Sequence, residues 1–391
     1  MTDAGNKPSR LGAALWKARA KILGSGIARN VERTNHARWC LLLGRVAPFR
    51  MPHLPATHQN EWQARELARA LSELGFNVDA VDFDERRRLL GRKYDLVIDL
   101  HPRAHPIYED RLAPGARRVC YITGSNPSFS NAAERSRLRD LEGRRGVSLK
   151  PRRHVPPFPK PVLESFDSMI TFAGETALST YGEFRLPPVH RVVNGGYDDV
   201  EPTESGRRDP RRFLFMASVG QVHKGLDLLL EVFAAEPDLS LVVCSMYAAE
   251  RDFTRAYRKE LHRSPNIRAA GFMDVKSAAF RELQAECGAM ILPSCSEAQC
   301  GSVTVAMSFG IPCIVSVPCD IREPELETLR DCTLETIRET VRAWAGQPRP
   351  ALRERSERTL ALMRRKYAPG DYARTIRQAL LATPGVGVAG R

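Results

Sequence analysis

Apolar and polar positions change period repeatedly along this chain. From Arg38 onward, short apolar runs of strand type, "RWCLLLGRV", "YDLVIDL", "RRVCYITG" and "FDSMITFAG", are separated by segments with helical spacing. In "NEWQARELARALSELGFNVDAVDFD", Leu67, Leu71 and Leu74 share one helical face. Gly75 then stops the helix, and Val78 to Phe83 form the next strand. "ETALSTYG" has a helical pattern, and "HRVVNGGYD" closes this half with a strand and an Asn-Gly turn.

The polar stretch "DDVEPTESGRRDPRR" marks a boundary, after which the same grammar restarts. Strand "RFLFMASVG" leads into a helix from "KGLDLLLEVFAAE", then strand "LSLVVCS", helix "AERDFTRAYRKELHR" and "NIRAAGF". Helix "AAFRELQAEC" and strand "AMILPS" follow, and "PCIVS" is a further strand. Two helical segments, Glu325 to Trp344 and Pro350 to Leu381, end the chain. The alternation of strand and helix predicts an α/β protein with parallel sheets wound on both faces. The repeat of the pattern predicts two such halves, with a ligand cleft outside the carboxyl ends of their strands.

Two segments break the pattern. Residues 1–37 form a basic arm in which Leu11, Leu15, Trp16 and Ile22 lie beside Lys17, Arg19 and Lys21. A solvated arm and an interfacial membrane helix both fit it. Between Ala132 and Pro161 the chain is rich in Arg and Pro, which suits a helix followed by an exposed loop. A solvated insertion and the wall of a binding cleft are both open for that segment. The expected organisation is an arm (1–37), an N-terminal domain (38–200) and a C-terminal domain (201–366). A final helix and tail (367–391) would be free to pack back on the N-terminal domain.

At 391 residues the chain suits two domains of about 150 to 200 residues each. No apolar run reaches the roughly 20 residues that cross a bilayer, and no signal-peptide core is visible near the start. The nine cysteines are scattered, with no C-x-x-C pair, so a reducing cytoplasm is expected in place of a disulfide or zinc framework. A net charge of +13 favours acidic partners. Nucleic acid is set aside, because the arginines are not interleaved with aromatics in a reader pattern.

Two turns carry candidate chemistry. In "FLFMASVGQVHKGLDLLL" a strand feeds Ser218, Gly220 and a Lys-Gly pair that opens a helix. Such a turn offers backbone N–H groups to an anion, with Lys224 as a point charge. In "LPSCSEAQCGSVTVAMSFGIPCIVS" a strand, a loop and a small-residue helix follow one another, with Ser302 as the expected N-cap and Gly310 as the stop. Glu297 lies just ahead of that helix, where the dipole stabilises a carboxylate able to accept from sugar hydroxyls. A plain exposed lysine and a plain turn glutamate are the alternatives.

The order "NGGYD", then strand–turn–"KGLDLLL", then "PSCSE" through "AMSFGIPCIVS" resembles the retaining GT-B glycosyltransferases of family 4. The resemblance spans Arg191 to Ser316 and reaches the N-terminal half only by architecture. It implies two Rossmann-like domains facing across a cleft, and a nucleotide diphosphate sugar as co-substrate with no cofactor and no metal. Lys224 matches the lysine on the donor diphosphate, and Glu297 matches the first acid of the E-x7-E motif, which contacts the donor sugar. Gly271, Phe272 and Met273 fall where the family's loop meets the base. Gly301, Ser302 and Thr304 fall by the phosphates, with Ser218 and Gly220 in the turn before the lysine.

Several positions depart from the pattern. The second acid of E-x7-E falls on Val305, and the basic residue five before the lysine falls on Val219. "APFRMPHLP" replaces the glycine-rich turn after the first strand, and the usual histidine position falls near Thr123, leaving His53 or His101 as substitutes on the acceptor side. The resemblance implies a hexosyl transferase, the cysteines place it in the cytoplasm, and the basic charge suits surface polysaccharide or glycolipid assembly. Its acceptor would be a glycan, a lipid-linked molecule or another acidic one, met at a membrane that the basic arm touches. A degenerate relative that binds a glycan or partner without transfer is the other reading.

Overall fold

Strand runs that are apolar on both faces need cover on both sides, which helices supply in a parallel sheet, and the chain forms two such sheets. The computed structural model describes residues 26–83, 85, 91–102, 111–203 and 205–387. The stretch holding Leu11, Leu15, Trp16 and Ile22 lies outside them.

The first sheet has seven strands: β1 (Ile27–Ala28), β2 (Arg38–Gly44), β3 (Phe76–Asp82), β4 (Tyr94–Asp99), β5 (Leu112–Ile122), β6 (Ser168–Thr171) and β7 (Val189–Arg191). Their order is β1-β3-β2-β4-β5-β6-β7, parallel except where β1 runs antiparallel along β3. In β2, Cys40 and Leu42 enter the core on one face while Leu41 and Leu43 enter a second cluster on the other.

The second sheet has six strands: β8 (Asp209–Ala217), β9 (Ser240–Ser245), β10 (Ile267–Ala269), β11 (Cys287–Leu292), β12 (Cys313–Ser316) and β13 (Glu327–Leu329). All are parallel, in the order β10-β9-β8-β11-β12-β13, which is the Rossmann order. The protein is thus two Rossmann-like domains facing across a cleft, the GT-B arrangement.

Eleven helices serve the argument: α1 (Asn60–Glu73), α2 (Pro127–Arg145), α3 (Glu175–Ser179), α4 (Leu226–Ala234), α5 (Arg251–Ala256), α6 (Arg258–Arg263), α7 (Ala278–Gln284), α8 (Gly301–Ser308), α9 (Leu334–Ala345), α10 (Arg349–Lys366) and α11 (Pro369–Ala382). Three differ from the sequence expectation. The segment from Glu325 begins not as helix but with β13, because it completes the sheet edge beside β12. The segment from Pro350 breaks at Tyr367, just before Pro369, whose missing N–H suits the first turn of a new helix. "AERDFTRAYRKELHR" breaks at Tyr257, whose ring is buried against Phe253 and so sets a corner between α5 and α6.

Each half lends a helix to the other. In α2, Leu138 and Leu141 enter the core of the second sheet. Arg144 pairs there with Asp227 (2.7 Å) and Glu231 (3.0 Å), and Arg145 with Glu260 (2.8 Å). In return, Tyr372, Ile376, Ala379 and Leu380 of α11 complete the core beneath α1 and the first sheet. Tyr372 stands edge-on to Trp62 and donates to the Gln63 carbonyl (3.2 Å).

Candidate functional site

In a sheet of this order the ligand crevice lies between the first and fourth strands, where the chain switches direction of winding. Here those are β8 and β11, and both candidate turns follow them. Gly225, at φ +80°, lies so close to Pro293 that a Cβ there would come within 2.6 Å of the proline ring and carbonyl. This close approach presses the two turns together and brings Lys224 against Glu297. Their side chains are only 7% and 9% exposed, and Lys224 Nζ donates to Glu297 Oε1. Ser294 Oγ donates to the same oxygen (2.7 Å). His223 Nε2 donates to the Ser296 carbonyl (2.8 Å), which can only accept and so fixes the tautomer; Nδ1 is buried without a partner.

The electrostatics follow from this packing. Burial alone would raise the Glu297 pKa, but Lys224, His223 and Arg153 hold it down at about 2. Burial works against the Lys224 charge as well, yet Glu297 keeps its pKa above the ordinary lysine value. His223 is pushed down to about 4, first by burial and then by Lys224 and Arg153, so it is neutral at pH 7. The pair is therefore ionised and, as a pair, neutral.

Two of the backbone N–H groups of the first turn already have an acceptor. Gly220 and Gln221 donate to the buried carboxylate of Glu250 (2.5 and 3.3 Å). The second turn differs from its expectation too. The N-cap of α8 is Cys300, not Ser302, and it makes no side-chain capping bond. Ser302 sits inside the first turn, where Gly301 and Ser302 open the helix onto the cleft.

The cleft holds about 240 Å³ and draws on both halves. Of the residues singled out from the sequence, Ser218, Lys224, Phe272, Met273, Glu297, Gly301, Ser302 and Thr123 line it. Gly220 and Gly271 are not among the lining residues. Thr304 lies one layer deeper, where its Oγ1 accepts from Gln59 Nε2 (2.7 Å). His53 is exposed and outside the lining, and His101 packs on Phe83 with ring centroids 4.2 Å apart. The histidine that does face the cleft is His58, in the loop after "APFRMPHLP". Its side chain is exposed to the cleft, and desolvation with the charges of Lys224, Arg153 and Arg45 lowers its pKa to about 4. Val305 also lines the cleft.

Sequence reasoning also missed Gln59 and Arg153. Gln59 Nε2 bridges the Gly195 and Gly301 carbonyls (3.1 and 3.0 Å) and so ties the two halves at the cleft floor. Ser125 Oγ donates to the Glu297 carbonyl (2.8 Å) from the same side. Behind them the left-handed Asp320 accepts from the Gly174, Thr176 and Ala177 amides (2.6, 3.1 and 3.3 Å) at the start of α3. Among the described residues no cluster of three or more His, Cys, Asp or Glu is placed to hold a metal ion, and no helix is long and apolar enough to cross a membrane. All nine cysteines are free thiols.

Comparison with known proteins gives three findings. The model of the family "Glycosyl transferases group 1" matches residues 198–324, the part that holds Lys224, Glu297 and Val305. No curated protein sequence matches the chain. Among solved structures, Anabaena HepE in complex with UDP and glucose is similar at 12% identity and a TM-score of 0.58, over 87% of this chain and 97% of that one. Sucrose-phosphate synthase from Thermosynechococcus elongatus is similar at 14% identity and 0.58, over 87% and 98%. Staphylococcus aureus TarM, in complex with fondaparinux, α-GlcNAc-glycerol and UDP, is similar at 12% and 0.52, over 73% of this chain. The chain spans about half the length of TarM, 54% of it. At these identities the likeness is one of fold.

Proposed function

We propose that this chain is a glycosyltransferase that moves a sugar from a nucleotide diphosphate sugar to an acceptor held by the N-terminal half. The observation that carries the reading is the Lys224–Glu297 pair, buried at the switch point of a Rossmann-order sheet and inside the segment that matches the group 1 model. Lys224 and the open start of α8 face the place where charge grows on a leaving diphosphate, and stabilise it electrostatically. Glu297 holds the donor sugar: Oε1 is fixed by Lys224 and Ser294, which orients the other oxygen towards a hydroxyl. Phe272, 42% exposed, and Met273 offer an apolar wall to the base.

Glu297 is the one carboxylate among the described lining residues, and it is held by a lysine. That supports transfer with retention by front-face attack rather than through a covalent sugar. A hexose as the sugar and a metal-independent reaction complete the proposal. His58, Thr123 and Asn60 form the acceptor side. The +13 net charge supports a lipid-linked or otherwise acidic acceptor in glycan assembly at the cytoplasmic face of a membrane.

A second reading, a binder that no longer transfers, draws on Val305 in the cleft and on a volume of about 240 Å³. Ligand pockets usually span about 300–1,000 Å³. A thermal-shift panel of UDP, GDP, ADP and CMP with their sugar conjugates separates the two. A ligand at 100 times its dissociation constant adds about 2.7 kcal/mol of apparent stability. A shift with one base, followed by sugar release onto an acceptor, supports the transferase; no shift with any of them sinks the donor reading.

Glu297→Gln tests the sugar contact. It keeps an acceptor for Ser294 but removes the counter-charge of Lys224. The nucleotide sugar is expected to bind about tenfold more weakly, a loss of one hydrogen bond to a charged group, while the bare nucleotide diphosphate binds as well as before or better. Equal losses measured by calorimetric titration would mean that Glu297 only shapes its loop.

A further inference from the structure

We propose that Arg153, contributed by the N-terminal half, is the second cation of the donor-diphosphate site, so that the site is complete only when α2 and the loop after it are seated on the C-terminal half. The inference rests on the nucleotide diphosphate reading above. It begins from a shortage of positive charge. Lys224 is neutralised by Glu297, and the Gly220 and Gln221 amides serve Glu250. A diphosphate brings two or more negative charges into the same space and needs a further cation to offset its desolvation.

Arg153 is placed to be that cation. It lines the cleft with Ser218 and Lys224. Its stem lies flat on Gly220: a Cβ there would fall 2.5 Å from Arg153 Cγ and 2.9 Å from Cδ. Gly220 has φ +88°, so glycine serves both the turn and the room for this arginine. Among the described residues, no carboxylate lies within ion-pair distance of the Arg153 guanidinium, although its field reaches Glu297, His223 and His58.

The loop that carries it is fixed on both sides. The buried Glu134 of α2 accepts from the Arg152 and Arg153 amides (2.9 and 3.1 Å). Asn131 exchanges two bonds with Val155 (3.0 and 2.7 Å). Arg152 and the Lys150 amide turn the other way, to Asp252. Of these neighbouring basic residues, only Arg153 faces the cleft, so general basicity of the loop does not explain its position.

The test titrates the full-length wild type, Arg153→Ala, Arg153→Lys and Arg152→Ala with UDP, GDP and ADP, and with the three monophosphates. For the diphosphate that the wild type binds, Arg153→Ala is expected to lose about 10- to 100-fold in affinity, the range of a charge-assisted bond. The matching monophosphate should lose less than about threefold by the same reasoning, Lys should restore part of the loss, and Arg152→Ala should stay near wild type. Melting curves of each variant show whether it is folded, and Arg153→Lys carries the test if the alanine variant is not. Arg153→Ala binding the diphosphate as tightly as wild type overturns the proposal, and so do equal losses for mono- and diphosphate. A wild type that binds none of the three defeats the donor reading itself, and this inference with it.

Discussion

Lys224→Ala is expected to destabilise the fold by about 3–5 kcal/mol at pH 7, the cost of leaving one member of a buried ion pair uncompensated. The same change should remove measurable binding of any nucleotide diphosphate. A simple surface lysine would lose almost nothing on the first count. The pH dependence identifies the cause. In the wild type the Glu297 pKa is depressed to about 2. Its contribution is therefore present above the carboxylate's unfolded value and lost as pH falls towards 2. Without Lys224 the dominant remaining influence is burial, which raises the Glu297 pKa above its unfolded value. The sign then reverses: the variant is penalised as pH rises through that higher value and relieved when Glu297 takes a proton. Urea melts between pH 7 and pH 4 should thus show the two proteins converging as pH falls. A gap that stays constant across that range would show that the charge of Glu297 is not what the variant suffers from.

Arg208→Ala is expected to cost as much without touching the cleft. Arg208 is 1% exposed. Its guanidinium donates to the carbonyls of Cys287 (2.9 Å), Phe309 (2.7 Å) and Gln284 (3.4 Å) and to Ser356 Oγ (3.2 Å). Burial lowers its pKa to about 10, so it remains charged at pH 7. Alanine would take this donor from the Cys287 and Gln284 carbonyls and leave the Phe309 carbonyl with only the Thr203 amide (3.4 Å), at about 1–3 kcal/mol for each group left unpaired, so a loss of about 3–5 kcal/mol in a urea melt is expected. Lysine should not rescue it, because one ammonium cannot span the fork. Nucleotide affinity per folded molecule should be unchanged. A large affinity loss in a still-folded variant would contradict the purely architectural role.

Arg208 also shows where the sequence stops being readable. It sits in "SGRRDPRR", a polar stretch that marks the boundary between halves, next to an Arg207 that pairs with Glu282 at the surface. Nothing local distinguishes the two arginines; only the carbonyls that converge from β11, α7 and the end of α8, with the Ser356 hydroxyl of α10, do. By contrast, the strands were legible because runs such as "RWCLLLG" and "CGAMIL" are buried on both faces. Lys224 and Glu297 were legible because each lies in a turn between a strand and a helix, a local pattern. His58, Gln59, Glu250 and Arg153 were not, since each enters the site from a part of the chain distant in sequence. The break between α10 and α11 is signalled by Pro369, but the helical period continues on both sides of it and masks the signal. β13 carried too short a pattern to compete with the helix that follows it.

The exchange of α2 and α11 has a consequence for how this molecule can be taken apart. The chain passes from the first sheet to the second between Arg191 and Asp209, and that point does not divide the packing. A fragment starting there would lack the apolar plug of Leu138 and Leu141, and a fragment ending there would leave the face of α1 that Tyr372 and Ile376 cover open to water. A nick in the connecting segment would leave two pieces still clasped at two places. Calorimetry should therefore record one unfolding transition where two domains would suggest two. On the ribosome the first half must wait, with the apolar side of α2 unpartnered, until the second has been made.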